Sequence, residues 1–140
     1  MNITSINADI RTAPQGYTIV SAFSDDINCK VGISKVMNEM FGVDGRRDVI
    51  KHYKSGNLGK LDNLFLLFVK KTSYDAPDWD RFTEALRDFK KKCIKNKINK
   101  IAMPKICCGK NGFSWIDVDI VLEDILGSLD IDIIVYDLES

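Results

Sequence analysis

Leu64-Phe65-Leu66-Leu67-Phe68-Val69 is an unbroken apolar run, entered through the turn pair Asp62-Asn63 and left through Lys70-Lys71. A strand with one wet face alternates apolar and polar residues. A continuous run of this length therefore reads as a strand buried on both faces. Working outward, Lys100-Ile101-Ala102-Met103, closed by Pro104, and Ile131-Asp132-Ile133-Ile134-Val135-Tyr136 read as two further strands. The clearest helix lies before the first of these. Trp79, Phe82, Leu86, Phe89 and Cys93 keep a three-or-four spacing, with Asp75 and Pro77 as start signals. Ser114-x-x-Asp117 has the form of a capping box and opens a helix through Leu126. Strands separated by helices long enough to cross back imply a parallel core sheet covered on both faces. The fold class is α/β.

Upstream, Asn2 to Ile6 reads as a short first strand. Tyr17 to Phe23 is rich in β-branched and aromatic residues, the mark of a second buried strand. Ile33, Val36, Met37 and Met40 recur at helical spacing and stop at Phe41-Gly42; Arg46 to Tyr53 suggests another short helix, ended by Ser55-Gly56. No repeat, low-complexity tract or linker interrupts the 140 residues, so a single domain over 1–140 is expected. A chain of this size buries roughly 70% of its unfolded surface and needs neither metal nor disulfide to hold a core.

Twenty basic residues balance twenty acidic ones. That argues against a general nucleic-acid or membrane-surface binder, whose affinity needs net positive charge. No apolar run approaches a bilayer span, and Met1-Asn2-Ile3 starts no signal peptide. A soluble, cytoplasmic protein is expected. The charge is unevenly spread: Lys90 to Lys105 holds seven lysines and no acid, and Asp117 to Ser140 eight acids and no base. This reads either as a basic patch for an anion or as two solvated helix faces. Cys29, Cys93, Cys107 and Cys108 fit no metal spacing, and reduced thiols are the expectation.

Open α/β sheets bind ligands at the carboxyl ends of their strands. Three such ends have unusual composition: Ser24 to Gly32, Lys70 to Tyr74, and Pro104 to Phe113. In the last, Gly109 and Gly112 let backbone amides approach a ligand, and the helix from Trp115 adds its positive end. Gly32-Ile33 repeats the arrangement before the first helix. Two such loops could grip a diphosphate, or could be ordinary turns; neither is a P-loop. His52, the only histidine, reads as a surface residue, and no catalytic triad or zinc site is available to it. Asp25-Asp26 reads as a carboxylate pair or as two solvated acids. Lys70, ending an apolar strand, reads as a nucleophile or base activated by burial, or as a strand-end lysine reaching for water.

Several stretches together resemble a macrodomain. These are Ile3 to Ile10, the loop ending Val31-Gly32-Ile33, and the helix ending Phe41-Gly42. Leu67-Phe68-Val69-Lys70-Lys71, Pro77-x-Trp79, Met103-Pro104-Lys105-Ile106-x-Cys108-Gly109, Trp115 and Ile134-Val135-Tyr136-x-Leu138 resemble its terminal ADP-ribose protein glycohydrolase branch. The resemblance runs over nearly the whole chain. It implies a three-layer α/β/α fold with a mixed, mostly parallel six-stranded sheet, and ADP-ribose bound at the strand ends.

Carried over residue by residue, the resemblance implies that Asp9 receives the adenine amino group with Ile10 beside it. Ser24 contacts the ligand ahead of the first-helix loop, which contributes Val31, Gly32 and Ile33. Lys105, Ile106, Cys107, Cys108, Gly109, Lys110, Asn111, Gly112 and Phe113 form the phosphate and distal-ribose loop, and Tyr136 and Leu138 line the adenine pocket. Lys70 matches the branch's catalytic lysine, and Asn111 stands where its assisting aspartate would be. An amide can neither take a proton nor carry that negative charge. The first loop, Lys30-Val31-Gly32, is also poorer in glycine than the family pattern. Two functions stay open: a hydrolase of ADP-ribosyl esters, O-acetyl-ADP-ribose or ADP-ribose 1''-phosphate, or a non-catalytic reader of ADP-ribose. No cofactor or metal is implied. The expected partner is ADP-ribose, free or on protein, with no membrane or nucleic-acid role and a monomeric state.

Overall fold

The computed structural model describes residues 1–138. Six strands form one sheet in the order β1-β6-β5-β2-β4-β3. They are β1 (Asn2–Ile6), β2 (Thr18–Ser24), β3 (Leu58–Leu61), β4 (Leu64–Lys70), β5 (Lys100–Pro104) and β6 (Asp132–Tyr136). Every neighbouring pair is parallel except β3–β4, a hairpin turning at Asp62-Asn63. The helices are α1 (Gly32–Phe41), α2 (Arg47–Tyr53), α3 (Trp79–Asn96) and α4 (Trp115–Leu126).

The apolar run of β4 shows why the sheet has two covered faces. Phe65, Leu67 and Val69 enter a core with Phe82, Leu86 and Phe89 of α3 and Val118 and Leu122 of α4. Leu64, Leu66 and Phe68 enter a second core with Met37 of α1 and Ile50 of α2. Alternate side chains thus serve opposite layers, which is what a strand apolar at every position can do. The result is a three-layer α/β/α arrangement.

Three local readings differ from expectation. β3 was not expected; its Gly59 lies against Phe68, where an added Cβ would come within 2.8 Å of the ring. α3 is capped by Asp78, whose side chain accepts from the Asp80 amide at 2.9 Å. Asp75 instead holds a turn, accepting from the amide and hydroxyl of Thr72. Ser114 precedes α4 but makes no side-chain capping bond, so the Ser114-Asp117 box does not form. Among the described residues no helix is long and apolar enough to cross a membrane.

The two charge blocks meet on adjacent strands. Lys100 pairs with Asp132, and Lys105 with Asp137 at 2.9 Å, across β5 and β6. Lys91, Lys92, Lys95 and Lys97 stay exposed along and just past α3. The basic stretch is therefore a solvated helix face and two neutralised strand positions, not one continuous patch.

Candidate active site

β2 and β5 are neighbours only at their starts, where Thr18 meets Ile101 and Ile19 meets Ala102. Beyond that point the strands part, and the gap opens at their carboxyl ends. Chain connections also diverge here, since β2 leads towards β4 and β5 towards β6. That is the switch point where α/β sheets accept ligands. A cleft of about 420 Å³ occupies it.

One wall comes from β2 and the loop that follows. Ser24, Asn28, Val31, Ile33 and Ser34 line the cleft. The loop is held by polar bonds: Ser24 donates its hydroxyl to Asp26, and Asn28 donates to the Ser73 hydroxyl at 3.0 Å. Asp25 turns the other way, accepting from Arg81 at 3.0 Å and pairing with Lys54 at 3.4 Å. The adjacent acids are thus structural anchors with separate partners. Ser21, fully buried in β2 and lining the cleft, carries the one buried side-chain oxygen or nitrogen among the described residues that has no hydrogen-bond partner.

Lys70 stands at the end of β4 and lines the same cleft. A β-bulge aims it: Phe23 is opposite Phe68 and Ser24 opposite Lys70, leaving Val69 extra. Bulges re-aim side chains in this way beside functional sites. The displaced Val69 carbonyl accepts from the Asp78 amide at 2.8 Å, and Lys70 Nζ donates to the Ser73 carbonyl at 3.3 Å.

The opposing wall is the loop after β5. Lys105, Ile106, Cys107, Cys108, Gly109, Lys110 and Gly112 all line the cleft. The loop closes on itself, the Phe113 amide donating to the Cys107 carbonyl at 2.6 Å and the Gly112 amide to Gly109 at 2.8 Å. The amides of Gly109, Lys110 and Asn111 meet no protein acceptor among the described residues. They are donors free to meet an anion. Burial pushes the Cys107 thiol up to about 12, against the opposing influence of nearby Lys70.

A side pocket of about 260 Å³ adjoins the cleft, the two sharing Ile33, Pro104, Lys105 and Asp137. Asp9, Ile10, Tyr136 and Leu138 line it. Asp9 is fixed by the Arg11 amide at 2.9 Å and guanidinium at 2.7 Å, and the amide bond above all holds its carboxyl below the usual range.

Three residues named from the sequence lie outside both walls. Gly32 contributes only its left-handed backbone (φ 63°) between Val31 and Ile33. Asn111 sits exposed at the loop's turn (φ 62°) and is not among the residues that line the cleft with Lys70. Phe113 stacks on Trp79 instead. The start of α4 is likewise absent from the cleft wall, whereas the start of α1 is part of it. Asn28, Ser34, Ser73 and Asp137 were missed. The first three lie in or beside loops of unusual composition, but nothing in the sequence separates them from their neighbours.

No family model matches the chain. It is 28% identical over 141 residues to "ADP-ribose glycohydrolase OARD1" of Bos taurus, covering 97% of this chain and 91% of the relative. Among solved structures it superposes on the macrodomain of Thermus aquaticus DarG with a TM-score of 0.77, at 16% identity, covering 96% and 97% of the two chains. Thermosipho africanus DarTG in complex with ADP-ribose gives 0.76 at 15% identity, over 97% of this chain and 41% of that one.

The chain has the macrodomain fold. Within this fold the split between β2 and β5 supplies the cleft, and the ends of β1 and β6 supply the side pocket. A further hollow of about 470 Å³ lies along the sheet's outer edge beside β3 and α2, away from Lys70 and both loops. Its size alone assigns it no chemistry.

Proposed function

We propose that this macrodomain binds ADP-ribose derivatives and hydrolyses them at the distal ribose. The substrates are ADP-ribosyl esters on protein carboxylates, O-acetyl-ADP-ribose or ADP-ribose 1''-phosphate. The observation that carries this reading is Lys70, bulge-aimed into a cleft whose other wall offers unpaired amides and which continues into a pocket holding the Asp9 carboxylate. The glycohydrolase name of its 28%-identical relative supports it.

Adenine fits the side pocket, with its amino group donating to Asp9. The diphosphate fits the free amides of the 105–112 loop, with Lys110 beside them. The distal ribose then faces Lys70. With an ADP-ribosyl ester or the 1''-phosphate, attack of the lysine amine on the anomeric carbon forms a C–N bond as the anomeric C–O bond breaks, its electron pair leaving on the carboxylate or phosphate. The lysine nitrogen loses a proton to solvent; water then adds at the same carbon as the C–N bond breaks, and the nitrogen takes a proton back. O-acetyl-ADP-ribose instead releases acetate by hydrolysis of the acyl ester on its distal-ribose hydroxyl. A carboxylate or phosphate leaving group departs without protonation, which lessens the need for an acid at position 111.

A reader function has one observation in its favour: Asn111 is an exposed amide where a carboxylate would assist. Turnover decides between them. The wild-type chain is expected to release ADP-ribose from an ADP-ribosylated glutamate protein, and Lys70→Ala to bind ADP-ribose without releasing it. No turnover of ester or 1''-phosphate by the wild type, with binding intact, establishes the reader. The same reading places the chain, as a monomer, in a reducing cytoplasm, in keeping with its four unpaired cysteines. The pairing of Lys100 and Lys105 with acids speaks against a nucleic-acid partner.

A further inference from the structure

We infer that Asp137 makes the site selective for ligands whose adenosine ribose carries free hydroxyls, and excludes those phosphorylated there. This rests on the ADP-ribose reading above. Asp137 follows β6 and belongs to the walls of both the cleft and the side pocket, as does Lys105. Its amide donates to the Ile6 carbonyl at 2.9 Å, and its carboxylate holds Lys105 Nζ at 2.9 Å. Backbone and side chain are thus both fixed at the neck between the two hollows.

With its base in the side pocket and its phosphates on the 105–112 loop, a nucleoside diphosphate must thread its ribose through that neck. A carboxylate there accepts from a ribose diol. A phosphate on the same diol would place further negative charge against Asp137 in a half-buried wall. Lys105, already engaged by Asp137 at 2.9 Å, offsets only part of that repulsion. Dinucleotide-binding sheets use the same device, an acid reading the ribose hydroxyls where phosphate is unwanted.

The test is calorimetric titration of the full chain with ADP-ribose and with 2'-phospho-ADP-ribose, for wild type and Asp137→Asn. The wild type is expected to favour ADP-ribose by about tenfold or more, the scale of one like-charge repulsion at a half-exposed site. In Asp137→Asn the ratio is expected to shrink to about threefold or less. Equal or tighter binding of the phosphorylated ligand to wild type removes the inference alone. So does an unchanged ratio in the variant. Failure of the wild type to bind either ligand removes the ADP-ribose reading, and the inference with it. The wild-type ratio decides the point even where the variant is too unstable to titrate.

Discussion

Trp79 lies flat on Phe113, with ring centroids 3.6 Å apart and planes 6° from parallel. The stack joins the first residue of α3 to the last residue of the loop that forms one cleft wall. The loop before α3 begins at Lys70 on the other wall. Two segments distant in sequence are therefore braced by one ring pair, and Phe82 supports it from beneath at 6.2 Å.

Removing that brace has a measurable cost. Trp79→Ala is expected to lower stability by roughly 1–2 kcal/mol, since the ring is part-exposed and loses a stacked partner. Urea unfolding reads the loss directly. ADP-ribose affinity should fall with it, and Trp79→Phe should recover most of both.

Gly112 tests the loop itself. An added Cβ would strike the Cys107 carbonyl and approach that of Gly109 within 2.9 Å, and both are backbone atoms. Gly112→Ala must therefore open the turn that presents the free amides. The expected loss is about 1–3 kcal/mol of stability, typical of forced overpacking. ADP-ribose binding should fall more steeply than in Gly109→Ala, where a Cβ meets nothing within 4 Å.

Asn111 occupies left-handed backbone that aspartate also tolerates, so Asn111→Asp should leave the fold unchanged. A carboxylate there supplies the proton acceptor and negative charge the amide lacks. Ester turnover is expected to rise by about tenfold, less than the roughly 100-fold or more of a fully placed general acid–base group, because position 111 lies outside the cleft lining. Single-turnover release of ADP-ribose from modified glutamate is the measurement.

The thiols give a pH signature. Desolvation holds Cys93 and Cys107 at about 12 and raises Cys29 and Cys108. Native Cys93 and Cys107 at pH 8 should react with iodoacetamide at least about tenfold more slowly than in the unfolded chain, where thiols ionise near their ordinary value. The sign for stability follows. Unfolded thiols lose protons above about pH 9 while the folded ones keep them, so stability is full below that pH and falls between about 9 and 12. Urea midpoints at pH 8 and 10 check it.

What the sequence made legible follows the physics of each element. Leu64 to Val69 announces itself because burial on both faces leaves no polar position to blur it. Leu58 to Leu61 is too short and carries Gly59, whose reason is Phe68 across the hairpin, a contact no local pattern encodes. The start of α3, expected from Asp75 and Pro77, falls at Asp78 instead, since several neighbouring carboxylates can cap and only geometry selects one. The loops at the strand ends were recognisable from glycine, lysine and cysteine in sequence. The parting of β2 from β5, which turns those loops into one cleft, belongs to neither strand alone. For the same reason Ser21, inside β2, and Asp137, just past β6, do not stand out in the sequence.

The central claim is that cleft and side pocket form a single site shaped for adenosine, diphosphate and a second ribose. Calorimetric titration with ADP-ribose, AMP and ATP tests it most directly. The account predicts that ADP-ribose binds tightest, with AMP, which fills only the side pocket and neck, weaker by about tenfold or more. AMP or ATP binding as tightly as ADP-ribose, or no heat with ADP-ribose at all, would contradict it.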